Sequence, residues 1–191
     1  NNGLMGICTG WLSKILQKGA LQIKIPFYFR KSGDFQLKCS KTPTILIATG
    51  TGIAPFMGFL NYIEDLSFHS GDIWLIYGCR YSQKDFLCCN DIQRYLKKGV
   101  LKRLTTAFSR DTPKKVYVQD RIMEVQRNIA NLILNQHANI FVCGDQATVV
   151  KDVRKAILHC ISNYQNMDEV SAEELVNNLV KNKKYVVDSW M

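Results

Sequence analysis

Thr44-Ile45-Leu46-Ile47-Ala48, running into Gly50-Thr51-Gly52-Ile53-Ala54-Pro55-Phe56, is the stretch that decides the fold. A short, almost unbroken apolar run reads as a strand buried on both faces, as strands of parallel sheets are. The glycines make a tight turn, and Pro55 is suited to open a helix, expected to reach about Phe68. Strand, turn and helix then recur to the end of the chain.

Ile73-Trp74-Leu75-Ile76-Tyr77 reads as a second strand, Asp85 to Lys97 as a helix, and Leu101 to Phe108 as a third strand. Ile122, Val125, Ile129, Leu132 and Ile133 share one face of a further helix. Asn139-Ile140-Phe141-Val142-Cys143 is a fourth strand, and Val149, Val153, Ala156, Ile157 and Cys160 mark another amphipathic helix. Ser171 is read as starting the next helix, with Glu173 and Glu174 in its first turn, and Tyr185-Val186-Val187 as a last short strand. This alternation predicts an α/β domain, a parallel sheet with helices on both faces.

Residues 1–38 have a different texture. Gly3, Gly6 and Gly10 punctuate a short apolar segment, Trp11 to Leu16 reads as a brief helix stopped by Gly19, and Leu21, Ile23 and Ile25 alternate as in a strand. Lys38 to Pro43 is a polar connection, which sets the expected boundary at 38/39. Asn1-Asn2-Gly3 has neither an initiator Met nor a signal-peptide layout, and reads as a cut from a longer protein.

At 191 residues and 47% hydrophobic content the chain can build one good-sized core. Its net charge of +9 is scattered, with no basic repeat interleaved with aromatics, so a nucleic-acid partner is not expected. No apolar run approaches the roughly 20 residues of a membrane span. Seven cysteines without a CxxC pair suggest a reducing, cytoplasmic setting. His69, His137 and His159 lack ligand spacing and Cys88-Cys89 reads as helix packing, so no metal site is expected.

In parallel sheets ligands collect at the carboxyl ends of the strands. Here those ends carry Gly50-Thr51-Gly52, Gly78-Cys79-Arg80, Ser109-Arg110 and Cys143-Gly144-Asp145. The first is either a phosphate-cradling turn or a plain tight connection, since Pro55 replaces the last glycine of the usual dinucleotide fingerprint. The second ends in Arg80, where an NAD site would want an acid, and a base suits a 2′-phosphate instead. Ser109-Arg110 with Lys115-Val116-Tyr117-Val118-Gln119 can grip a phosphate and stack an adenine, or can be a solvated basic loop. Cys143 is by residue type a buried inert thiol, and Asp145 and Asp152 a helix cap and a surface charge. Trp190 is odd as core, one residue from the end of the chain, and its indole on a mobile tail can cover a flat ligand.

Taken in order, Gly6-Ile7-Cys8-Thr9-Gly10-Trp11-Leu12, Phe29-Arg30-Lys31-Ser32, Gly50 to Phe56, Tyr77-Gly78-Cys79-Arg80, Ala107-Phe108-Ser109-Arg110-Asp111, Lys115 to Gln119, Cys143-Gly144-Asp145 and Asp188-Ser189-Trp190 resemble the C-terminal half of the diflavin reductases, relatives of ferredoxin–NADP reductase. The resemblance covers nearly the whole chain. It implies the tail end of an FAD-binding β-barrel at 1–38 and a ferredoxin-reductase-type NADP-binding domain at 39–191. The implied cofactors are NADPH and FAD, with FMN in a flavodoxin-like domain of the same protein, passing electrons to an acceptor protein. Gly6, Ile7, Cys8 and Thr9 match the segment that holds the FAD pyrophosphate, and Thr51 a nicotinamide-nucleotide contact. Ser109, Arg110, Lys115, Tyr117 and Gln119 match contacts to adenosine and its 2′-phosphate, with Asp152 a further NADP contact and Arg80 a candidate for the same site. Trp190 matches the aromatic that covers the flavin ring, and Cys143 and Asp188 match residues that tune hydride transfer.

Within the family, the Cys8-Thr9-Gly10-Trp11-Leu12 run and Phe108-Ser109-Arg110-Asp111 are most similar to the methionine synthase reductase branch, which implies methionine synthase and its cobalamin as acceptor. The cytochrome P450 reductase branch is similar in the same motifs and is the alternative. Two features depart from the family pattern. The Arg-x-Tyr-Ser flavin segment is absent, and Gln146-Ala147-Thr148-Val149 stands where Ala-x-x-Met is usual. The expectation is therefore that the isolated chain holds FAD weakly and is not active alone. A non-catalytic nucleotide-binding or docking module remains the reading from another class.

Overall fold

A computed structural model describes residues 6–17, 24–28, 33–37, 40–66 and 71–190. The chain divides into two compact units, Asn1–Ser32 and Gly33–Met191. In the first, helix α1 runs Ile7–Gln17 with Gly10 and Ile15 buried. It begins earlier than the expected Trp11, because the Gly10 N–H already donates to Gly6 O at 2.7 Å. Residues 24–28 are irregular. Gly3, Gly19, Leu21, Ile23, Phe29 to Ser32, Lys38 and Phe68 lie outside the described residues.

The second unit is a five-stranded, all-parallel sheet in the order β3-β2-β1-β4-β5. The strands are β1 Thr44–Thr49, β2 Ile73–Cys79, β3 Arg103–Phe108, β4 Asn139–Asp145 and β5 Tyr185–Trp190. Helices α2 (Ala54–Leu66) and α3 (Cys89–Lys98) cover one face. There Phe56, Leu60, Ile92 and Tyr95 pack on Leu46, Leu75 and Tyr77. The opposite face carries α4 (Val118–Glu124), α5 (Gln126–Leu134), α6 (Lys151–Gln165) and α7 (Glu169–Lys181). Ile122, Ile129, Val153, Ile157 and Val176 meet Ile45, Ile47, Ile76 and Val142 on that side. Alternate residues of the central strands thus serve two cores, which is why the apolar runs are unbroken. Phe35 joins this unit, its ring 5.8 Å from Phe56 and 5.3 Å from Phe141.

The expected sheet with helices on both faces is found, and four local expectations are corrected. Helix α3 starts at Cys89, not Asp85, because the Asp85 carboxylate accepts the Tyr81 N–H at 3.2 Å and so stabilises a turn. The single amphipathic helix expected around Ile122 to Ile133 breaks at Val125 (φ −111°, ψ 23°), which sits outside α-helical geometry while the apolar positions stay on one face. Helix α7 starts at Glu169, because Asp168 caps it by accepting the Ser171 N–H at 2.8 Å, and its first-turn acid is Glu169. The largest change is β5, which continues through Asp188-Ser189-Trp190 in parallel register with β4, so these residues are pinned by a ladder and are not a frayed tail. Among the described residues no helix is long and apolar enough to cross a membrane.

Candidate functional site

The chain steps outward from β1 through β2 to β3, then returns to place β4 on the other side of β1. The carboxyl ends of β1 and β4 therefore flank the point where the winding reverses, the usual place for a ligand crevice. Register sets Ala48 beside Cys143, Cys143 beside Asp188, and Asp145 beside Trp190.

The turn Gly50–Ile53, one stretch of 3₁₀ helix, rests directly on β4. A Cβ on Gly52 would lie 2.3 Å from Cys143 O and 3.3 Å from Trp190 Cη2. Glycine is needed there so that the turn can sit on the Cys143 carbonyl, with the indole edge against the same spot. Trp190 is 43% exposed, Cys143 only 3%. Thr51 and Asp188 are exposed. Burial pushes the Cys143 thiol up to about 11, and the negative charge of Asp188 adds to the effect, so the thiol is protonated at neutral pH. Asp145 is the cap that one reading of the sequence gave it. Its carboxylate accepts the Thr148 N–H at 2.9 Å and the Thr148 hydroxyl at 2.8 Å, and these bonds, the hydroxyl first, hold it below the usual carboxylate range.

A second group forms at the ends of β2 and β3. The ladder continues past both strands, Ser109 N–H to Cys79 O at 3.0 Å and Arg110 N–H to Arg80 O at 2.8 Å. Asp111 then accepts the Ser82 N–H, at 3.2 and 3.3 Å to its two oxygens. This sews the two loops into one shelf and occupies the Asp111 carboxylate, as the Tyr81 N–H occupies that of Asp85. Arg80, Arg110 and Lys115 are exposed, and among the described residues none has a carboxylate partner.

Tyr117, 43% exposed, caps α4. Its N–H donates to Asp120 Oδ2 at 2.8 Å. Helix α4 approaches the sheet closely because Gly78 has no side chain, and a Cβ there would lie 2.8 Å from Val118 Cγ1. Arg121 Nε donates to Thr106 O at 2.9 Å, fixing α4 to β3. Gln119 Nε2 donates to Asp152 Oδ2 at 3.3 Å, so two residues singled out separately in the sequence meet between α4 and α6.

Of the candidate residues, Thr51, Cys143, Asp188 and Trp190 thus cluster at the ends of β1, β4 and β5. Arg80, Ser109 and Arg110 share the adjoining shelf, Lys115 and Tyr117 lie on the loop that leaves it, and Gln119 pairs with Asp152. Gly6, Ile7, Cys8 and Thr9 belong to the first unit, Gly6 just ahead of α1 and the others in its first turn. Sequence reasoning missed Asp111, which joins the two loops, and Tyr77, whose hydroxyl donates to Gly50 O in the β1–α2 turn. It left Gly52 open between ligand approach and a plain tight turn, and the structure puts Cys143 O and Trp190 Cη2 where a side chain on it would lie. The single available signal was that a buried Tyr must find a partner for its hydroxyl. Among the described residues no cluster of His, Cys, Asp or Glu could hold a metal ion.

Residues 46–155 match the family described as oxidoreductase NAD-binding domain. Methionine synthase reductase from Homo sapiens is 34% identical, the match covering 97% of this chain and 30% of that protein. NADPH–cytochrome P450 reductase from Drosophila melanogaster is 33% identical over 97% of this chain and 28% of its own length. The sulfite reductase [NADPH] flavoprotein alpha-component from Buchnera aphidicola is 37% identical, covering 97% of this chain and 30% of that protein. The chain spans about 30% of the length of these curated relatives.

Proposed function

The chain belongs to the oxidoreductase NAD-binding domain family, in its diflavin reductase branch, and from that premise we propose that it forms the NADPH- and FAD-facing part of a diflavin oxidoreductase. One observation carries the reading. Among the described residues Arg80 and Arg110 stand exposed and without a carboxylate partner at the carboxyl ends of adjacent parallel strands, beside Ser109, with Lys115 likewise exposed and without one on the loop that follows. Unpaired cations at that edge suit a phosphate that NADP has and NAD lacks.

In this proposal NADPH supplies a hydride, FAD accepts it, and FMN in a flavodoxin-like domain relays electrons singly to an acceptor protein. Ser109, Arg110, Lys115 and Arg80 bind the 2′-phosphate, and Tyr117 stacks on the adenine. Gln119 and Asp152 hold the adenosine end from α4 and α6. Thr51 meets the nicotinamide nucleotide. Trp190 shields the reacting face from water and must move aside for the nicotinamide, which makes its entry a gated step. Cys143 offers a neutral S–H next to the Asp188 carboxylate, so the pair stabilises charge that shifts during hydride transfer without a fixed thiolate repelling it. Gly6, Ile7, Cys8 and Thr9 hold the FAD pyrophosphate. This reading is supported by their place at the start of α1, since the first N–H groups of a helix have no partners inside it.

For the acceptor we propose methionine synthase and its cobalamin, supported by the 34% identity to the human methionine synthase reductase and by the resemblance of the Cys8 to Leu12 run to that branch. The alternative reading takes cytochrome P450 as the acceptor, supported by the 33% identity to the Drosophila reductase. A cytoplasmic setting is part of the proposal, since all six described cysteines are free thiols.

The test is calorimetric titration with adenosine 2′,5′-bisphosphate and with 5′-AMP, ligands that avoid the region covered by Trp190. The bisphosphate is expected to bind more tightly. Arg110→Ala should weaken it about ten- to a hundredfold, the worth of one or two charged hydrogen bonds, with little effect on 5′-AMP. Equal loss of both ligands would sink the 2′-phosphate assignment, and binding of neither would favour a docking module.

A further inference from the structure

We propose that Tyr77 is a positioning residue for the nicotinamide half of the dinucleotide, its hydroxyl fixing the turn that carries Thr51. The inference rests on the NADP(H) reading of this edge of the sheet.

Tyr77 lies near the end of β2 and is fully buried. Its hydroxyl donates to Gly50 O at 3.0 Å. That bond ties the carboxyl end of β2 to the β1–α2 turn. Gly50 opens the turn at φ 52°, where an L side chain is strained, and no side chain of its own steadies it. Because the peptide unit is planar, holding the Gly50 carbonyl also fixes the direction of the Thr51 N–H.

The ring is held as firmly as the hydroxyl. Phe86 lies 5.5 Å from the Tyr77 ring, and Phe108 lies 5.7 Å from Phe86. Phe108 is the residue before Ser109 and Arg110. Packed rings thus run from the phosphate shelf to the carbonyl that sets the turn. The two ends of a dinucleotide, its 2′-phosphate and its nicotinamide, are thereby referenced to one rigid piece of the protein. Burial pushes the phenol up to about 12, so the hydroxyl keeps its proton throughout the working pH range.

Tyr77→Phe removes one oxygen and leaves the ring packing in place. On the full 191-residue chain, the affinity for NADP⁺ should fall about fivefold, as loss of one ordinary hydrogen bond gives. Affinity for adenosine 2′,5′-bisphosphate should stay unchanged. Amide hydrogen exchange at Thr51 and Gly52 should accelerate. In a Thr51→Ala background the Tyr77→Phe effect on NADP⁺ should shrink, because the turn then has less to present. Equal weakening of both ligands would assign Tyr77 a general structural role and overturn the proposal, as would unchanged exchange at Thr51. Wild-type chain that binds neither ligand would refute the dinucleotide reading itself, whereas intact bisphosphate binding with an unaltered NADP⁺ affinity in Tyr77→Phe would refute only the role of Tyr77.

Discussion

Gly52→Ala puts the contact between the turn and β4 to a direct test. The new methyl would lie 2.3 Å from Cys143 O, 2.9 Å from Cys143 C and 3.3 Å from Trp190 Cη2, where ordinary contact begins near 3.4 Å. Two of the obstacles are backbone atoms of a strand paired on both sides, and they cannot swing away. The turn must therefore rise by about 1 Å or the ladder must give. Overpacking of this kind costs about 1–3 kcal/mol, which lowers the melting temperature by about 2–12 °C in a chain of this size. Displacement of Thr51 by about 1 Å should slow hydride transfer by roughly a hundredfold in a flavin-loaded parent enzyme. The indole loses its seat, so Trp190 fluorescence should change as well. Gly58→Ala is the control. It lies in α2 with nothing within 4 Å of its added methyl, and should be neutral or slightly stabilising. If Gly52→Ala melts with Gly58→Ala and leaves the emission unaltered, Gly52 does not set the height of the turn.

Trp190→Ala in the flavin-loaded parent enzyme should relax the preference for NADPH over NADH, since the indole no longer has to be displaced by binding energy drawn from the 2′-phosphate. Steady-state rates with both nucleotides measure this, and unchanged ratios would argue against a gate. Acid should destabilise the chain through Glu64, Asp145 and Asp168. All three sit below their ordinary values of 4.5 and 3.8, Glu64 chiefly through hydrogen bonds from Arg94 and then Lys98, the aspartates through their cap bonds. A depressed carboxyl stabilises the fold above its unfolded pKa and loses that contribution as pH falls through its folded one, so the loss should come below about pH 4.5. Melting curves from pH 7 to 3 should show it, and Glu64→Gln should have a shallower fall. Equal slopes for the two proteins would refute the role of Glu64.

How much of this was legible in the residues depends on range. β1, β2 and β4 could be read directly because a strand buried on both faces has to be apolar throughout, a local fact. The shelf at the ends of β2 and β3 was legible as a basic loop, since Ser109, Arg110 and Lys115 are close in sequence. The pairing of Gln119 with Asp152 was not, because it depends on how α4 and α6 lie on the sheet. By residue type Cys143 read as an inert thiol, and its neighbours Asp188 on β5 and Gly52 on the turn follow from register and packing alone.

By itself the sequence determined the α/β alternation, the parallel sheet and the motifs at its carboxyl edge, since periodicity and residue type carry that information over short stretches. Tertiary structure alone decided that Trp190 is the last rung of a ladder, seated against Gly52. It alone decided that the amphipathic run breaks at Val125 and that a tyrosine hydroxyl holds the turn at Gly50. Those outcomes depend on strand register and helix docking, which arise from contacts summed over residues far apart in the chain and leave little mark on any one segment.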